Sequence, residues 1–267
     1  MTDAKANAVR VLYCHCAYAD VVPRSTADAV REAIGRRGDA VIVEDLCGLC
    51  ARRDPRLRAW TAGGEVTVVA CYPRAVRWLL SAGGVAVDAD ALRLTVLNMR
   101  TDAADTIVAR LPPCRADGTA EVTGASPGWV PWFPVIDGDR CVQCGQCRDF
   151  CLFGVYATAA DRAVDVARPE NCKNNCPACA RICPRAAIVF PKLDEGPING
   201  DEIRDEAAQR ERIKVDVDKI LGSDIYATLA ARQDKARRRR IDRQRVQRAL
   251  AAREACRDKP HDAASDR

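Results

Sequence analysis

The chain has 267 residues, 30% of them charged, with a formal net charge of only +5. That length suffices for two domains, each burying its own core. Fifteen cysteines are far above ordinary use. They are clustered and odd in number, which excludes the even, scattered framework of a disulfide-stapled secreted protein. Met1 to Arg10 is polar and lacks the apolar stretch of a signal peptide. No apolar run approaches the roughly 20 residues of a membrane helix. A cytoplasmic, reducing setting is expected, and there such cysteines read as metal sites.

Residues 8–112 alternate strand and helix signals. Val9 to Tyr13 reads as a strand, and a helix then starts at Ser25 and stops at Gly38. Ala40 to Glu44 is a second strand, followed by a short helix from Asp54 to Thr61 that ends at Gly63-Gly64. Val66 to Ala70 is a third strand, followed by a helix from Arg74 to Ser81 that ends at Gly83-Gly84. Leu92 to Leu97 is a fourth strand, with a helix near 102–111. Strands alternating with helices imply parallel βαβ units, hence an open, flavodoxin-like α/β domain. Residues 113–134 are dense in proline and glycine and read as a linker.

Residues 135–191 hold eight cysteines in two runs. The first is Cys141-x2-Cys144-x2-Cys147-x3-Cys151. The second is Cys172-x3-Cys176-x2-Cys179-x3-Cys183-Pro184. A cubane iron–sulfur cluster needs four thiolates around one compact site, and three from a tight loop plus one from a distant segment supply them. Two [4Fe–4S] clusters are expected. Zinc ribbons instead pair separated C-x2-C knuckles.

Each run lies between short strand signals, Ile136 before the first and Val164 to Val166 before the second. This repeated frame resembles the bacterial dicluster ferredoxin, a small α+β fold. The resemblance implies that the fourth cysteine of each run ligates the other run's cluster. Cluster I would then use Cys141, Cys144, Cys147 and Cys183; cluster II would use Cys172, Cys176, Cys179 and Cys151. Leu152 stands where the pattern has proline, and one extra residue separates Cys172 from Cys176. Both departures bear on the potential of cluster II without removing a ligand.

Five further cysteines follow the strands of the first domain: Cys14 and Cys16 the first, Cys47 and Cys50 the second, Cys71 the third. The carboxyl ends of parallel strands line one edge, where ligands bind. Cys14-His-Cys16, Cys47 and Ala-Cys71-Tyr-Pro-Arg74 resemble the N-terminal domain of the flavin subunit of heterodisulfide reductase. That resemblance implies a third [4Fe–4S] cluster on Cys14, Cys16, Cys47 and Cys71. Tyr72 replaces the family's serine, Cys50 is extra, and no G-x-G-x-x-G follows a strand, so no flavin site is expected. Alternatives are a redox dithiol at Cys47-Gly-Leu-Cys50 and small buried hydrophobes. Arg74 reads either as a cation near a cluster or as the start of its helix, and His15 as a packing or supporting residue.

Residues 192–267 read as a charged tail, helical or disordered, with 11 Lys/Arg against 3 Asp/Glu between Arg232 and Arg257. Its basic run, Arg237 to Arg240, suits an acidic partner. Four scattered tryptophans do not make a nucleic-acid stacking platform. The expected role is an electron-carrier subunit, rather than a complete enzyme. It would pass single electrons to or from a partner oxidoreductase or another iron–sulfur or flavin subunit. A thiol/disulfide oxidoreductase using the N-terminal cysteines and a zinc-stabilised interaction protein are the alternatives.

Overall fold

The computed structural model describes residues 9–88, 90–124, 129–159 and 163–221, with single positions at 230, 231, 234, 247 and 251. The basic run 237–240, Cys256 and His261 lie outside the described residues.

Five strands form one parallel sheet: β1 (Val11–Cys14), β2 (Ala40–Val43), β3 (Glu65–Ala70), β4 (Arg93–Asn98) and β5 (Glu121–Thr123). Their order across the sheet is β4-β3-β1-β2-β5. The inner strands β1 and β2 are buried at every position, as continuous apolar strands covered on both faces must be. Helix α1 (Arg24–Gly35) buries Ala27, Val30 and Ile34, one stripe of a 3.6-residue period. Helices α2 (Leu46–Ala51) and α3 (Arg56–Thr61) lead to β3. Helix α4 (Pro73–Ala82) has Pro73 at its first position, where the missing N–H costs nothing. Helix α5 (Ala104–Ala109) closes the series. Right-handed crossovers put α1 and α5 on one face and α2 and α4 on the other. Those are the pairs that pack together.

Two of these elements have weak sequence signals. Strand β5 lies inside the proline- and glycine-rich segment expected as a linker, yet it pairs with β2 from Val41↔Glu121 to Val43↔Thr123. Helix α2 carries Cys47 and Cys50, which the sequence pattern places in a loop; Asp45 Oδ2 caps it by accepting from Gly48 N at 2.8 Å.

The cysteine-rich segment contains two short antiparallel ribbons. Strand β6 (Val135–Ile136) pairs with β9 (Ile188–Val189), and β7 (Tyr156–Thr158) pairs with β8 (Val164–Val166). Helices α6 (Gln146–Phe150) and α7 (Ala178–Arg181) follow the two cysteine loops. The segment is a repeat of 32 positions: Cys144 and Cys176, Cys147 and Cys179, and Cys151 and Cys183 all keep that spacing. The backbone repeats with it. Gln143 and Asn175, each just before the second cysteine, are left-handed at φ 56° and 58°. Gly154 and Ala186, each three residues after the fourth cysteine, are left-handed at 69° and 48°. The repeats interlock, because the first strand of one pairs with the last strand of the other.

The β6–β9 ribbon joins this module to the sheet domain. By strand alternation, Val135 and Val189 enter the core of the α/β domain, while Ile136, Ile188 and Phe190 enter that of the module. Phe133 also belongs to the α/β core, and Cys172 touches both. The sheet domain therefore does not bury a core of its own residues alone. Nor does the charged tail begin at 192. Phe190 N donates to Ile198 O at 2.7 Å, Ile198 and Asn199 are buried, and Gly200, at φ +98°, leaves no room for a Cβ beside Ala75. The polar helix α8 (Glu206–Leu221) starts only after this wrap.

A buried ion pair fastens the joint. Arg74 Nε donates to Asp137 Oδ2 at 2.6 Å, and its other nitrogens donate to Ala186 O and Pro197 O. Its guanidinium is thus committed to the joint, while its backbone stands in the first turn of α4. Asp137 is 4% exposed. Removing one partner of such a pair strands the other charge. Arg74→Met is expected to cost about 3 kcal/mol, read as a lowered unfolding midpoint. The double variant Arg74→Met/Asp137→Asn should recover part of that loss. Equal midpoints for wild type and Arg74→Met would show that the pair is not what fastens the joint.

Candidate iron–sulfur centres

The interlocked strands decide which thiols meet. Cys183 precedes β9, which is paired with β6, and β6 leads into the loop of Cys141, Cys144 and Cys147. These four come together. Burial first, then the charges of Cys183, Cys141 and Cys144, push the Cys147 thiol up to about 12. Cys183 is raised mainly by burial, with Cys144 and Cys141 adding to it. By the same logic Cys151, which precedes β7, falls in with the second loop. Burial, then Cys176 and Cys151, push Cys172 up to about 12. Cys179 is raised by burial and by Cys151 and Cys172. Cys147 also bears on Cys179, so the two groups adjoin.

Sulfur-directed donors mark both groups. Ala187 N donates to Cys183 Sγ at 3.3 Å, and the buried Tyr156 hydroxyl to Cys179 Sγ at 3.2 Å. The second group opens into a cavity of about 420 Å³ lined by Cys151, Cys172, Cys176 and Cys179 with Phe150, Phe153, Val155 and Tyr156. Among the described residues, no three His, Cys, Asp or Glu side chains close around a point tight enough for a single metal ion.

At the other end, the sheet gathers the N-terminal cysteines where the strand order reverses between β1 and β3, the place where open α/β sheets bind ligands. Cys14 ends β1, and Cys16 follows with φ 54°. Cys71 follows β3, and Cys47 and Cys50 stand three residues apart on α2, which puts them on one helix face. Cys16 is raised by its hydrogen bond with Cys14, by burial, and by the charges of Cys47 and Cys71. That bond from Cys16 lowers Cys14, helped by Leu46 N, which donates to Cys14 Sγ at 3.3 Å. Burial chiefly, then Cys14, pushes Cys71 up to about 12. Cys47 is raised by burial and by Asp45, then by Cys71 and Cys14. Cys50 is also raised by burial; the thiols that bear on it are Cys14 and Cys71. Cys114 stands apart and exposed.

The sequence reading missed the charges around this site. Lys192, from the segment after β9, is buried with its Nζ 2.9 Å from Asp45 Oδ1. The two atoms pair with each other and have no further hydrogen-bond partner, and buried His15 Nδ1 has none. Burial would lower the Lys192 pKa, but Cys47 and Asp45 outweigh it and hold it above the ordinary value. Arg100 lies over the Tyr72 ring at 5.0 Å, and its charge bears on Cys71. Asp45 had a legible signal, an Asp just before an apolar stretch; Lys192 had none.

Two known proteins are similar to part of the chain. An uncharacterized ferredoxin of Methanocaldococcus jannaschii is 43% identical over 63 residues, 23% of this chain and 42% of that protein. Ferredoxin-3 of a Nostoc species is 34% identical over 96 residues, 28% of this chain and 98% of that protein. The chain belongs to the ferredoxins. It spans less than half of the first relative and nearly all of the second, and most of its own length lies outside both matches. No family model and no solved structure matches it. Among the described residues, no helix is long and apolar enough to cross a membrane.

Proposed function

We propose that the protein is an iron–sulfur electron carrier with three [4Fe–4S] clusters, serving a partner oxidoreductase in a reducing compartment. Cys141, Cys144, Cys147 and Cys183 hold cluster I, and Cys172, Cys176, Cys179 and Cys151 hold cluster II. Cys14, Cys16, Cys47 and Cys71 hold a third at the sheet edge. The observation that carries this reading is the crossed strand pairing, which delivers the fourth thiol of each run to the other run's loop.

The donor chemistry fits. Buried thiols with raised pKa values resist ionising by themselves, and a metal core supplies the cationic partner that makes thiolates stable. The 420 Å³ cavity ringed by four cysteines has room for a polyatomic group. At the sheet edge, the unpartnered His15 Nδ1 and the Lys192 ammonium, paired with Asp45 alone, fit a buried, negatively charged group. A bound cubane supplies a reversible one-electron couple. The chain does the rest. Phe150, Phe153 and Val155 keep water from the second group. Ala187 N and the Tyr156 hydroxyl donate to ligand sulfurs, which stabilises added negative charge. Cys172, in contact with both cores, gives the α/β domain and the module a common boundary for electron passage. The likeness of the N-terminal cysteines to the heterodisulfide reductase flavin subunit supports the third site, and the basic tail would dock an acidic redox partner.

Anaerobically purified protein is expected to be brown, with about twelve irons per chain, four per cubane. Eight irons would remove the N-terminal site, and stoichiometric zinc without iron would sink the electron-carrier reading.

Ligand crossing has its own measurement. Cys183→Ser should damage the cluster held by Cys141, Cys144 and Cys147, and Cys151→Ser the one held by Cys172, Cys176 and Cys179. Spectra that instead tie each loss to the mutated run would show that the runs close on themselves.

A further inference from the structure

Lys192 is a residue of the module's side that ends inside the other domain. It follows β9 by three positions, yet its side chain is 5% exposed against an Asp45 that is 4% exposed. Its Nζ lies 5.3 Å from the centre of the Tyr18 ring. Asp45 stands two residues from Cys47, and Tyr18 two residues from Cys16. The backbone on either side of Lys192 is clamped from the α/β domain: Arg100 Nη1 donates to Pro191 O at 3.3 Å and to Leu193 O at 2.9 Å. Arg100 is itself 5% exposed. The peg and its clamp are thus both buried cations, one beside Cys47 and Cys16, the other beside Cys71.

A buried lysine is costly unless its charge is compensated, and one carboxylate compensates it only in part. Asp45 also serves as the cap of α2, accepting from Gly48 N. Its Oδ1 and the Lys192 nitrogen have no hydrogen-bond partner besides each other. Four thiolates around a cubane carry net negative charge in both redox states, and one unit more when reduced. A fixed cation in a low-dielectric site therefore favours the reduced state.

We propose that Lys192 is a positioning residue for the N-terminal cluster: inserted across the domain joint, it supplies the buried positive charge that raises that cluster's affinity for an electron. The inference rests on the three-cluster reading above. It makes the N-terminal site incomplete without the module, and it ties the electron affinity of that site to the joint between the domains. Cys183, nine residues before Lys192, connects the peg through β9 to the first group of the module. Among the described residues lining the second group, the lysine is Lys173, and it is exposed.

The experiment is a dithionite potentiometric titration of full-length, anaerobically purified protein, followed by EPR, with iron counted in each sample. Lys192→Met is expected to shift the redox equilibrium of the N-terminal cluster about tenfold toward the oxidised form, ~59 mV for one electron, leaving the other two clusters unmoved. Lys192→Arg should stay within threefold of wild type. Lys192→Met/Asp45→Asn removes one charge of each sign, so it should regain most of the shift and relieves the stranded carboxylate should the single variant fold poorly. Loss of four irons in Lys192→Met alone, with twelve kept in Lys192→Arg and in the double variant, equally supports the charge requirement. Wild-type potentials and twelve irons in Lys192→Met would overturn the proposal, as would an arginine variant that behaves like the methionine one. Eight irons in the wild type would instead bring down the three-cluster reading and this inference with it, an outcome told apart by the iron count alone.

Discussion

Everything in this molecule hangs on a two-residue ribbon. Strands as short as β6 and β9 have little stability by themselves. Here each residue of the ribbon is anchored on one side or the other: Val135 and Val189 in the α/β core, Ile136 and Ile188 in the module. Because the ribbon pairs the start of one repeat with the end of the other, it also brings Cys183 to the first cysteine loop. One set of hydrogen bonds thus fixes thiol grouping, the joint between domains and the launch point of the segment that carries Lys192. A register slip of one residue would exchange the faces of Val189 and Ile188 and disturb all three at once.

The joint is unusual in how much charge it buries. Arg74 with Asp137 fastens it beside the first cysteine loop, and Lys192 with Asp45 beside the N-terminal cysteines. Buried pairs of this kind add little net stability over apolar residues of the same shape, because desolvation offsets the attraction. Arg74 is accounted for by geometry, since its guanidinium donates to Asp137 and to the carbonyls of Ala186 and Pro197. Lys192 has no hydrogen-bond partner beyond Asp45. Its position is better explained by the thiols it faces than by the contacts it makes.

The sequence made the alternating α/β pattern readable because four strands are apolar runs and their helices carry clear stops. Gly38, Gly63-Gly64 and Gly83-Gly84 bracket the expected elements to within a few residues. Strand β5 escaped for a physical reason. Glu121-Val-Thr is three residues long, Val122 is exposed, and its stability comes from the edge of β2 rather than from its own pattern. Helix α2 escaped because it is one and a half turns with a glycine inside, held by the Asp45 cap and by packing against α4. The module was the most legible part, since cysteine spacing is a chemical constraint that few other structures share. Lys192 was illegible: a lysine between proline and leucine in a charged stretch reads as solvated, and its burial against Asp45 and Tyr18 comes from the tertiary fold.

Cys50 shows where spacing ends and geometry begins. On α2 it shares a helix face with Cys47, and it is as deeply buried as any of the N-terminal thiols. Spacing alone cannot say which four of five would serve one cluster. The surroundings differ, however. Cys16, Cys47 and Cys50 all lie within the electrostatic reach of Cys14 and Cys71, but Lys192 stands beside Cys16 and Cys47. The Cys50 backbone instead packs against Gly83 at the end of α4, so closely that a Cβ on that glycine would lie 3.3 Å from Cys50 Cα. Cys50 also lines the crevice that α2 and α4 share with Val164 and Val166 of the module. A thiol so placed packs the joint at no cost in volume, as free cysteines commonly do in cores. Lys192 thus distinguishes Cys16 and Cys47, which it faces, from Cys50, which packs against the end of α4.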